Sequence, residues 1–327
     1  MPNILVTESQ GFSPEAAALL EQLGPVVWGD MDRPTLLAAV APAEILWIRL
    51  RHRIDAEVLA AAPHLTTIVT PTTGLNHIDL EATAQRGIRV LSLRDERAFL
   101  RNVRATAEHT LMLMLALLRQ AHAAIAHVHN GGWNRDLFRG HELHQKTVGV
   151  VGYGRLGRIV ARYVYAFDAC VLATDPYITL SDVAPEVTLV PLEALLPVAD
   201  IVTLHVNLDP ATVGFFGQAQ FAAMKRGAWF INTSRGELID EEALLDALQQ
   251  GHLAGAALDV LGDEKATGMA EHPLVAYAGM HPNLIITPHI GGGTVESMAK
   301  TECVLAKHLT ALLTAVPSST SRLAPGH

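Results

Sequence analysis

Cysteine is scarce in this chain, which holds only Cys170 and Cys303 among its 327 residues. Two cysteines cannot form the dense disulfide framework of a small secreted domain. Neither of them lies at a spacing typical of a metal or redox site. The sequence therefore favours a reducing compartment, and we predict a cytoplasmic protein that has no metal site.

Long apolar runs and an excess of positive charge are also missing. The longest apolar run, 111–118, is well short of the ~18 residues that a membrane helix needs, so it predicts a buried helix. The first residues lack the basic and apolar segments of a signal peptide, and we expect no membrane partner. A net charge of -9 and a pI near 5.9 argue against a nucleic-acid partner, which usually needs a basic surface.

Hydrophobic residues are abundant, at 50% of the chain, and the length favours two domains. Short β-like runs alternate with amphipathic stretches. This pattern predicts an α/β fold of two Rossmann-like, doubly wound parallel sheets with helices on both faces. The predicted strands are Ile4–Val6, 44–48, 67–69, 88–91, 146–151, 171–174, Ile201–Leu204, Trp229–Asn232, 255–259 and 285–287, and the first predicted helices are Pro14–Leu23, Ala56–Ala61 and Leu80–Gln85.

One long helix, 103–130, is predicted between the two α/β parts, with Gly131 and Gly132 ending it. Trp133 follows these glycines, and we expect it to pack as a loop anchor. The last residues, 317–327, are rich in Ser, Thr and Pro, which predicts a mobile tail.

The most specific motif is a G-x-G-x-x-G sequence formed by Gly152, Gly154 and Gly157. It lies between a predicted strand and a predicted helix, 155–167, as the dinucleotide-binding turn requires. Asp175 ends the next strand, 18 residues after Gly157, where an acid accepts hydrogen bonds from a ribose diol and repels a 2′-phosphate. Because Pro176 and not arginine follows this acid, the sequence predicts NAD as the cofactor in preference to NADP.

Three polar residues follow later strands and form a candidate catalytic set. Arg235 can hold a carboxylate and polarise a carbonyl. His289 can exchange a hydroxyl proton near neutral pH, and Glu264 can stabilise the charged form of that histidine. Taken singly, each has an ordinary alternative: a surface ion pair, an unremarkable histidine or a solvated loop residue. Together with the glycine motif they point to hydride transfer at a hydroxy acid.

At these residues the chain resembles the D-isomer-specific 2-hydroxyacid dehydrogenases. The densest likeness runs from Gly227 to Asp259, and a second matching motif is 106–110. Within this family the chain is similar to the branch of D-3-phosphoglycerate dehydrogenase. The resemblance implies a substrate-binding domain made of 1–103 plus 290–327 and an NAD-binding domain of 104–289. It also implies an active site in the cleft between the domains and a homodimer built through the NAD domains.

The resemblance assigns further binding residues. Arg155 and Leu156 are expected to contact the pyrophosphate through their backbone, and a cofactor-flanking loop is expected to contain Thr203, His205, Asn207 and Thr212. Residues implied near the nicotinamide are Thr233, Asp259, Gly291 and Gly292. The substrate residues implied are Thr73 and Gly74, whose amides would hold the carboxylate, with Arg49 on a phosphate group and Arg235 as the anchor. For Thr73 and Gly74 an ordinary turn at a strand end is the alternative.

The chain also departs from the family pattern. Asn76 and Asn207 replace the usual Asp and Pro, and Lys265 follows Glu264 in place of Pro. A longer segment, 94–104, carries four arginines, which could clamp an anionic substrate or simply form a solvated helix face. Relatives that oxidise formate or phosphite remain an alternative, as does an NAD(H)-sensing, corepressor-like binding protein without turnover.

Overall fold

The computed structural model of the chain describes residues 1–262, 264 and 268–314. The predicted tail 317–327 and Lys265 lie outside these residues. The chain divides into two compact units. We call Met1–Leu100 with Val295–His327 the discontinuous unit, and Arg101–Thr294 the continuous unit.

The discontinuous unit is built on a five-stranded parallel sheet with the order β2-β1-β3-β4-β5. The strands are β1 Ile4–Val6, β2 Val26–Trp28, β3 Ile45–Trp47, β4 Thr67–Thr70 and β5 Arg89–Ser92. The inner strands are wholly buried because helices cover both faces of the sheet. The order reverses between β1 and β3, which creates a switch point at their carboxyl ends.

Helices of this unit begin where a short polar side chain can replace a missing backbone partner. Ser13, Asp32, Asp55 and Asp79 each accept a hydrogen bond from the amide three residues on, as N-cap residues do. The helices in chain order are α1 Pro14–Leu23, α2 Arg33–Ala39, α3 Ala56–Ala61, α4 Leu80–Gln85 and α5 Arg97–Leu100.

The continuous unit contains a seven-stranded parallel sheet with the order β12-β11-β10-β9-β6-β7-β8. Its strands are β6 Thr147–Val151, β7 Cys170–Thr174, β8 Val187–Leu189, β9 Ile201–Leu204, β10 Trp229–Asn232, β11 Gly255–Leu258 and β12 Leu284–Ile286. Adjacent strand residues face opposite sides, so Phe230 belongs to one hydrophobic core and Ile231 to the other. The order reverses between β6 and β9, which places a second switch point at their carboxyl ends.

The helices of this unit are α6 Ala105–Leu118, α7 Ala121–His129, α8 Arg155–Tyr165, α9 Leu192–Leu195, α10 Gln218–Ala223, α11 Glu241–Gln249 and α12 Pro273–Met280. Single 3-10 turns cover Arg135–Leu137, Leu180–Asp182, Gly236–Leu238 and Met269–Glu271. The chain then returns to the discontinuous unit as α13 Val295–Thr314, which packs against α1 and β5.

The prediction of one long helix, 103–130, is wrong. The helix breaks at Gln120, which has a left-handed backbone with φ of 50°, and α6 and α7 meet at a 66° bend. The Leu118 carbonyl accepts a hydrogen bond from the amide of His141, 2.9 Å away, instead of continuing the helical pattern. A returning loop therefore ends α6, and local sequence carries no sign of this contact.

Trp133 does not pack as a loop anchor, because the residue is 90% exposed. The α/β class, the two parallel sheets and every strand that was expected are confirmed. Strands β2 and β8 were missed; both are three-residue edge strands with one exposed position each. Helices α2, α5 and α9 to α13 were not predicted either.

Among the described residues, no single helix is long and apolar enough to cross a membrane. One bent pair of helices in the described part of the chain, 97–118 with Ala121–His129, passes that test together by length and composition.

Candidate active site

The glycine motif forms the turn between β6 and α8 at the switch point of the larger sheet. Gly152 has φ of 93°, and a Cβ on it would lie 2.6 Å from the His205 carbonyl oxygen. A Cβ on Gly157 would lie 2.0 Å from the Gly152 carbonyl oxygen, so the helix packs on the turn only with glycine there. These close approaches explain why two of the three motif positions require glycine.

The start of α8 fits a dinucleotide pyrophosphate. Gly154 is the N-cap residue, and no described side chain caps the first turn of the helix. No described atom lies within 4 Å of where a Cβ on Gly154 would be, so there is open space beside this residue. The first turn of a helix has amides without partners inside the helix, and together with the positive end of the helix dipole they make this a suitable anion site.

Asp175 lies directly after β7 and supports the same turn. Its Oδ2 accepts a hydrogen bond from the amide of Tyr153, and its Oδ1 accepts one from the amide of Tyr177, each over 2.9 Å. Each carboxylate oxygen has more than one acceptor site, so capacity remains for the two hydroxyls of a ribose. The residues present therefore fit NAD.

Arg155 and Leu156 begin α8, as the motif requires. The Arg155 guanidinium donates to the Val103 carbonyl oxygen over 3.0 Å. Burial lowers the pKa of Arg155. This side chain is therefore turned toward the protein.

His205 lies across the switch point from the glycine turn, at the end of β9. Its Nε2 lies 3.1 Å from Thr203 Oγ1, while its Nδ1 is buried and has no partner among the described residues. Burial lowers the pKa of His205 to about 3. Farther along this loop, Thr212 Oγ1 donates to the Asn207 carbonyl oxygen over 2.8 Å, which closes a turn.

Arg235 follows β10 in a loop that buried polar groups hold in place. The side chain of Asn232 donates to the Arg235 carbonyl oxygen over 2.8 Å and accepts from the amide of Ser234 over 2.9 Å. Among the described residues, the Ser234 carbonyl oxygen is the only hydrogen-bond acceptor that the Arg235 guanidinium contacts. Burial lowers the pKa of Arg235, and Glu264 and Glu237 act to raise it. The remaining donors can bind a carboxylate.

His289 and Glu264 form the closest acid–base pair of the site. His289 Nδ1 lies 2.6 Å from Glu264 Oε2, and both side chains are partly buried. His289 itself has a left-handed backbone with φ of 52°, which its amide stabilises by donating to the Asp259 carbonyl oxygen over 2.8 Å. With Nδ1 facing a carboxylate, Nε2 is the nitrogen that can exchange a proton with a substrate.

Asp259 organises the loop that bears His289. Its carboxylate, on a residue that is 1% exposed, accepts hydrogen bonds from the amides of Ile290 and Gly291 and from the hydroxyl of Thr287. Burial acts to raise the pKa of Asp259, but hydrogen bonds from His109 and these groups outweigh it, and the net pKa is lowered. Gly291 is thus bound to Asp259, whereas Gly292 is exposed.

Helix α6 contacts both the loop of Arg235 and the loop of His289. His109 Nε2 lies 3.0 Å from Thr287 Oγ1 and 3.1 Å from Asp259 Oδ1. Thr110 Oγ1 lies 2.8 Å from Thr233 Oγ1, two residues before Arg235. The sequence alone assigns no role to the motif 106–110, and the structure shows that its side chains fasten the two loops to one helix.

The substrate residues expected in the discontinuous unit lie at carboxyl ends of its strands. Thr73 and Gly74 follow β4, and within the described chain their amides donate to no protein group. Arg49 follows β3, and its guanidinium binds Glu302 Oε1 through Nη2 at 2.6 Å and Nε at 3.1 Å. Sequence reasoning missed Glu302, which lies 253 residues away, and phosphate binding by Arg49 stays a prediction.

In the segment 94–104, Arg94, Arg97 and Arg101 are exposed and Arg104 is half-buried. No group of three or more His, Cys, Asp or Glu able to hold a metal ion occurs among the described residues.

Comparisons with known proteins agree with this geometry. The model of the D-isomer specific 2-hydroxyacid dehydrogenase NAD binding domain matches residues 111–291. D-3-phosphoglycerate dehydrogenase of Mycobacterium tuberculosis is 38% identical over 299 residues, which are 91% of this chain and 54% of that protein. The enzyme of the same name from Archaeoglobus fulgidus is 36% identical over 288 residues, 88% of this chain and 53% of that protein. The chain thus spans about half the length of the curated relatives it matches.

Two solved structures are similar along nearly the whole chain. TT0316 protein from Thermus thermophilus has a TM-score of 0.81 and 36% identity, covering 95% of this chain and 97% of its own. D-lactate dehydrogenase from Aquifex aeolicus, in complex with NAD and lactic acid, has a TM-score of 0.82 and 26% identity, covering 95% of each chain. By its sequence and its fold, this chain belongs to the D-isomer-specific 2-hydroxyacid dehydrogenase family.

Proposed function

We propose that the chain is an NAD-dependent oxidoreductase that transfers a hydride between the nicotinamide and C2 of a D-2-hydroxy acid or 2-keto acid. The observation that carries this proposal is the 2.6 Å pair of His289 and Glu264 in the same unit as the glycine turn. Arg235, Glu264 and His289 are the catalytic residues of the proposal.

Bound NAD would accept the hydride in the oxidative direction and supply it in the reductive direction. In the oxidative direction, His289 Nε2 takes the hydroxyl proton as the hydride leaves C2, and Glu264 stabilises the imidazolium that forms. In the reductive direction the same imidazolium returns the proton to the oxygen. Arg235 holds the substrate carboxylate and stabilises negative charge on the C2 oxygen.

For the cofactor, we propose that the continuous unit binds NAD and the discontinuous unit binds substrate. The turn of Gly152, Gly154 and Gly157 with the backbone of Arg155 and Leu156 would hold the pyrophosphate. Around the rest of the cofactor we propose His205, Asn207, Thr212, Thr233, Asp259, Gly291 and Gly292.

Asp175 would bind the ribose and disfavour a 2′-phosphate, which accounts for NAD in preference to NADP. An Asp175→Ser variant should therefore narrow the preference for NADH over NADPH. Titration of both reduced cofactors, followed by fluorescence, measures that preference. An unchanged ratio of the two dissociation constants would show that Asp175 does not set the preference for NADH.

The substrate proposal rests on the relatives and on free backbone donors. The amides of Thr73 and Gly74 would bind the substrate carboxylate. Arg49 and the arginines of 94–104 favour a substrate with a second negative charge. Since the relatives include both D-3-phosphoglycerate and D-lactate dehydrogenases, phosphorylated and unphosphorylated acids must be compared.

The test is NADH oxidation by the purified protein against a panel of 2-keto acids, with and without phosphate groups. Turnover of one keto acid would support the reaction class. If the fastest substrate is phosphorylated, this would support a role of the arginines in binding its phosphate group. Equal rates for a phosphorylated acid and its unphosphorylated analogue would show that the arginines do not select a second negative charge. Tight NADH binding without any turnover would instead favour the NAD(H)-sensing alternative.

A further inference from the structure

One carboxylate, that of Glu241, binds the chain on both sides of Glu264. Its Oε1 accepts a hydrogen bond from the amide of Gly262 over 2.7 Å. Its Oε2 lies 3.2 Å from Nε2 of His272. Gly262 lies two residues before Glu264 and His272 lies eight residues after it, so we call these two residues the anchors.

The side chain of Glu241 is free to bind the two anchors because it does not cap the helix on which it lies. It is the first residue of α11, and the preceding Asp240 already caps the helix by accepting from the amide of Ala243 over 3.0 Å. The positive end of the helix dipole favours a negative charge at the position of Glu241. The side chains of Glu241 and His272 are only 22% and 17% exposed, which strengthens their contact over that of a surface pair.

The first anchor is also fixed from the opposite side. A Cβ on Gly236, the residue after Arg235, would lie 1.9 Å from the Leu261 backbone carbon. The chain just before Gly262 therefore lies directly against the loop of Arg235. At the second anchor, His272 immediately precedes α12, and its Nδ1 is buried without a partner among the described residues. That arrangement puts the ring proton on Nε2, facing Glu241.

We propose that Glu241 is a positioning residue, which fixes Gly262 and His272 so that the Glu264 carboxylate meets His289 Nδ1. The 2.6 Å distance of that contact leaves little tolerance, because a shift of about 1 Å would break a short charge-assisted hydrogen bond. The proposal rests on the proposed function for its effect on turnover, but its structural effect can be measured without any substrate.

The first test is spectroscopic and uses the whole protein labelled with ¹⁵N-histidine. The proton between His289 Nδ1 and Glu264 should give a downfield NMR resonance, assigned by its loss in His289→Asn and Glu264→Ala. Glu241→Ala should lose or broaden this resonance. Glu241→Gln should keep it in part, because its amide oxygen can still accept from Gly262 while its NH2 group cannot accept from His272. The matched control is Glu242→Ala, because Glu242 is the next residue on α11 and is exposed.

The second test is kinetic and separates positioning from a general structural role. Glu241→Ala should lower kcat about tenfold to a hundredfold with little change in KM. In a Glu264→Ala background, Glu241→Ala should lower kcat no further, because the carboxylate that Glu241 positions is absent. Thermal unfolding confirms that each variant is folded.

Two results would overturn the proposal: a His289 resonance in Glu241→Ala as sharp as in Glu242→Ala, or equal losses of kcat in both backgrounds. If the unmodified protein turns over no keto acid, the proposed function fails, while the resonance still decides the role of Glu241.

Discussion

His289 is the residue on which the proposed chemistry depends most directly. General acid–base catalysis by a positioned side chain contributes about 10²–10⁴ in rate. His289→Gln should therefore lose turnover by a factor of that order while NADH affinity stays near the original value. Initial rates and fluorescence titration measure the two quantities, and His281→Gln, at an exposed histidine of the same unit, is the control. Retention of half the original rate would exclude His289 as the proton carrier.

His205 should make the stability of the protein depend on pH. Its native pKa of about 3 lies below the unfolded value of about 6.5. Between these values the unfolded chain binds more protons than the native chain, so stability falls as the pH is lowered. From about pH 7 to about pH 5 the expected loss attributable to His205 is about 2 kcal/mol.

Urea unfolding at several pH values measures this effect in the original protein and in His205→Gln. The variant should lose about 2 kcal/mol less over that interval. His64→Gln, at an exposed position, serves as the control and should follow the original protein. Parallel curves for the original protein and His205→Gln would show that His205 titrates normally in the native state.

At the scale of elements, α13 is fastened to the discontinuous unit by a buried ion pair. Glu302 is fully buried on α13, and it binds Arg49 and the amide of Ser13 at the start of α1. Removal of one partner from such a pair leaves an uncompensated charge, which costs about 3–5 kcal/mol. We expect Glu302→Leu to destabilise the protein by that amount in urea unfolding.

The same helix supplies the control for this prediction. Glu296 is exposed near the start of α13, and Glu296→Gln should change stability by less than about 0.5 kcal/mol. The double variant Arg49→Met/Glu302→Leu should recover part of the loss, because no buried charge is left unpaired. If Glu302→Leu and Glu296→Gln behave alike, the ion pair does not hold the helix.

Elements with strong local signals could be predicted from the sequence, and those set by distant contacts could not. The strand Ile4–Val6 and the helix Pro14–Leu23 occur with the predicted bounds, because an apolar run and an N-cap serine are local features. The break at Gln120 depends on the return of His141 to the Leu118 carbonyl, and periodicity alone extends the helix past it.

At the scale of the whole molecule, the same distinction applies to the candidate site. The glycine turn and its acid could be located because their spacing within one β-α-β unit is fixed. The roles of His109 and Glu302 could not, since each depends on a partner more than a hundred residues away in the chain. The contact of Glu241 with Gly262 likewise needs the fold, although only 21 residues separate them.

We also propose that two copies of the chain associate through the continuous unit, as the family resemblance implies. Exposed apolar side chains gather on α7 and the loop after it, where Ile125, Val128 and Leu137 are all about half exposed and Trp133 is 90% exposed. A large aromatic side chain left in water favours burial against a partner. Trp133→Ser combined with Ile125→Ser should therefore shift the protein from dimer to monomer.

Sedimentation velocity over a range of concentrations measures this shift. Tyr177→Ser is the matched control, because Tyr177 is equally exposed in the same unit but lies on the loop after β7. A dimer that survives in the Trp133 variant and dissociates in the Tyr177 variant would instead place the interface at the loop after β7. A protein that is monomeric before any substitution would contradict the proposed dimer. The exposed Trp133 would then have to bind a different partner.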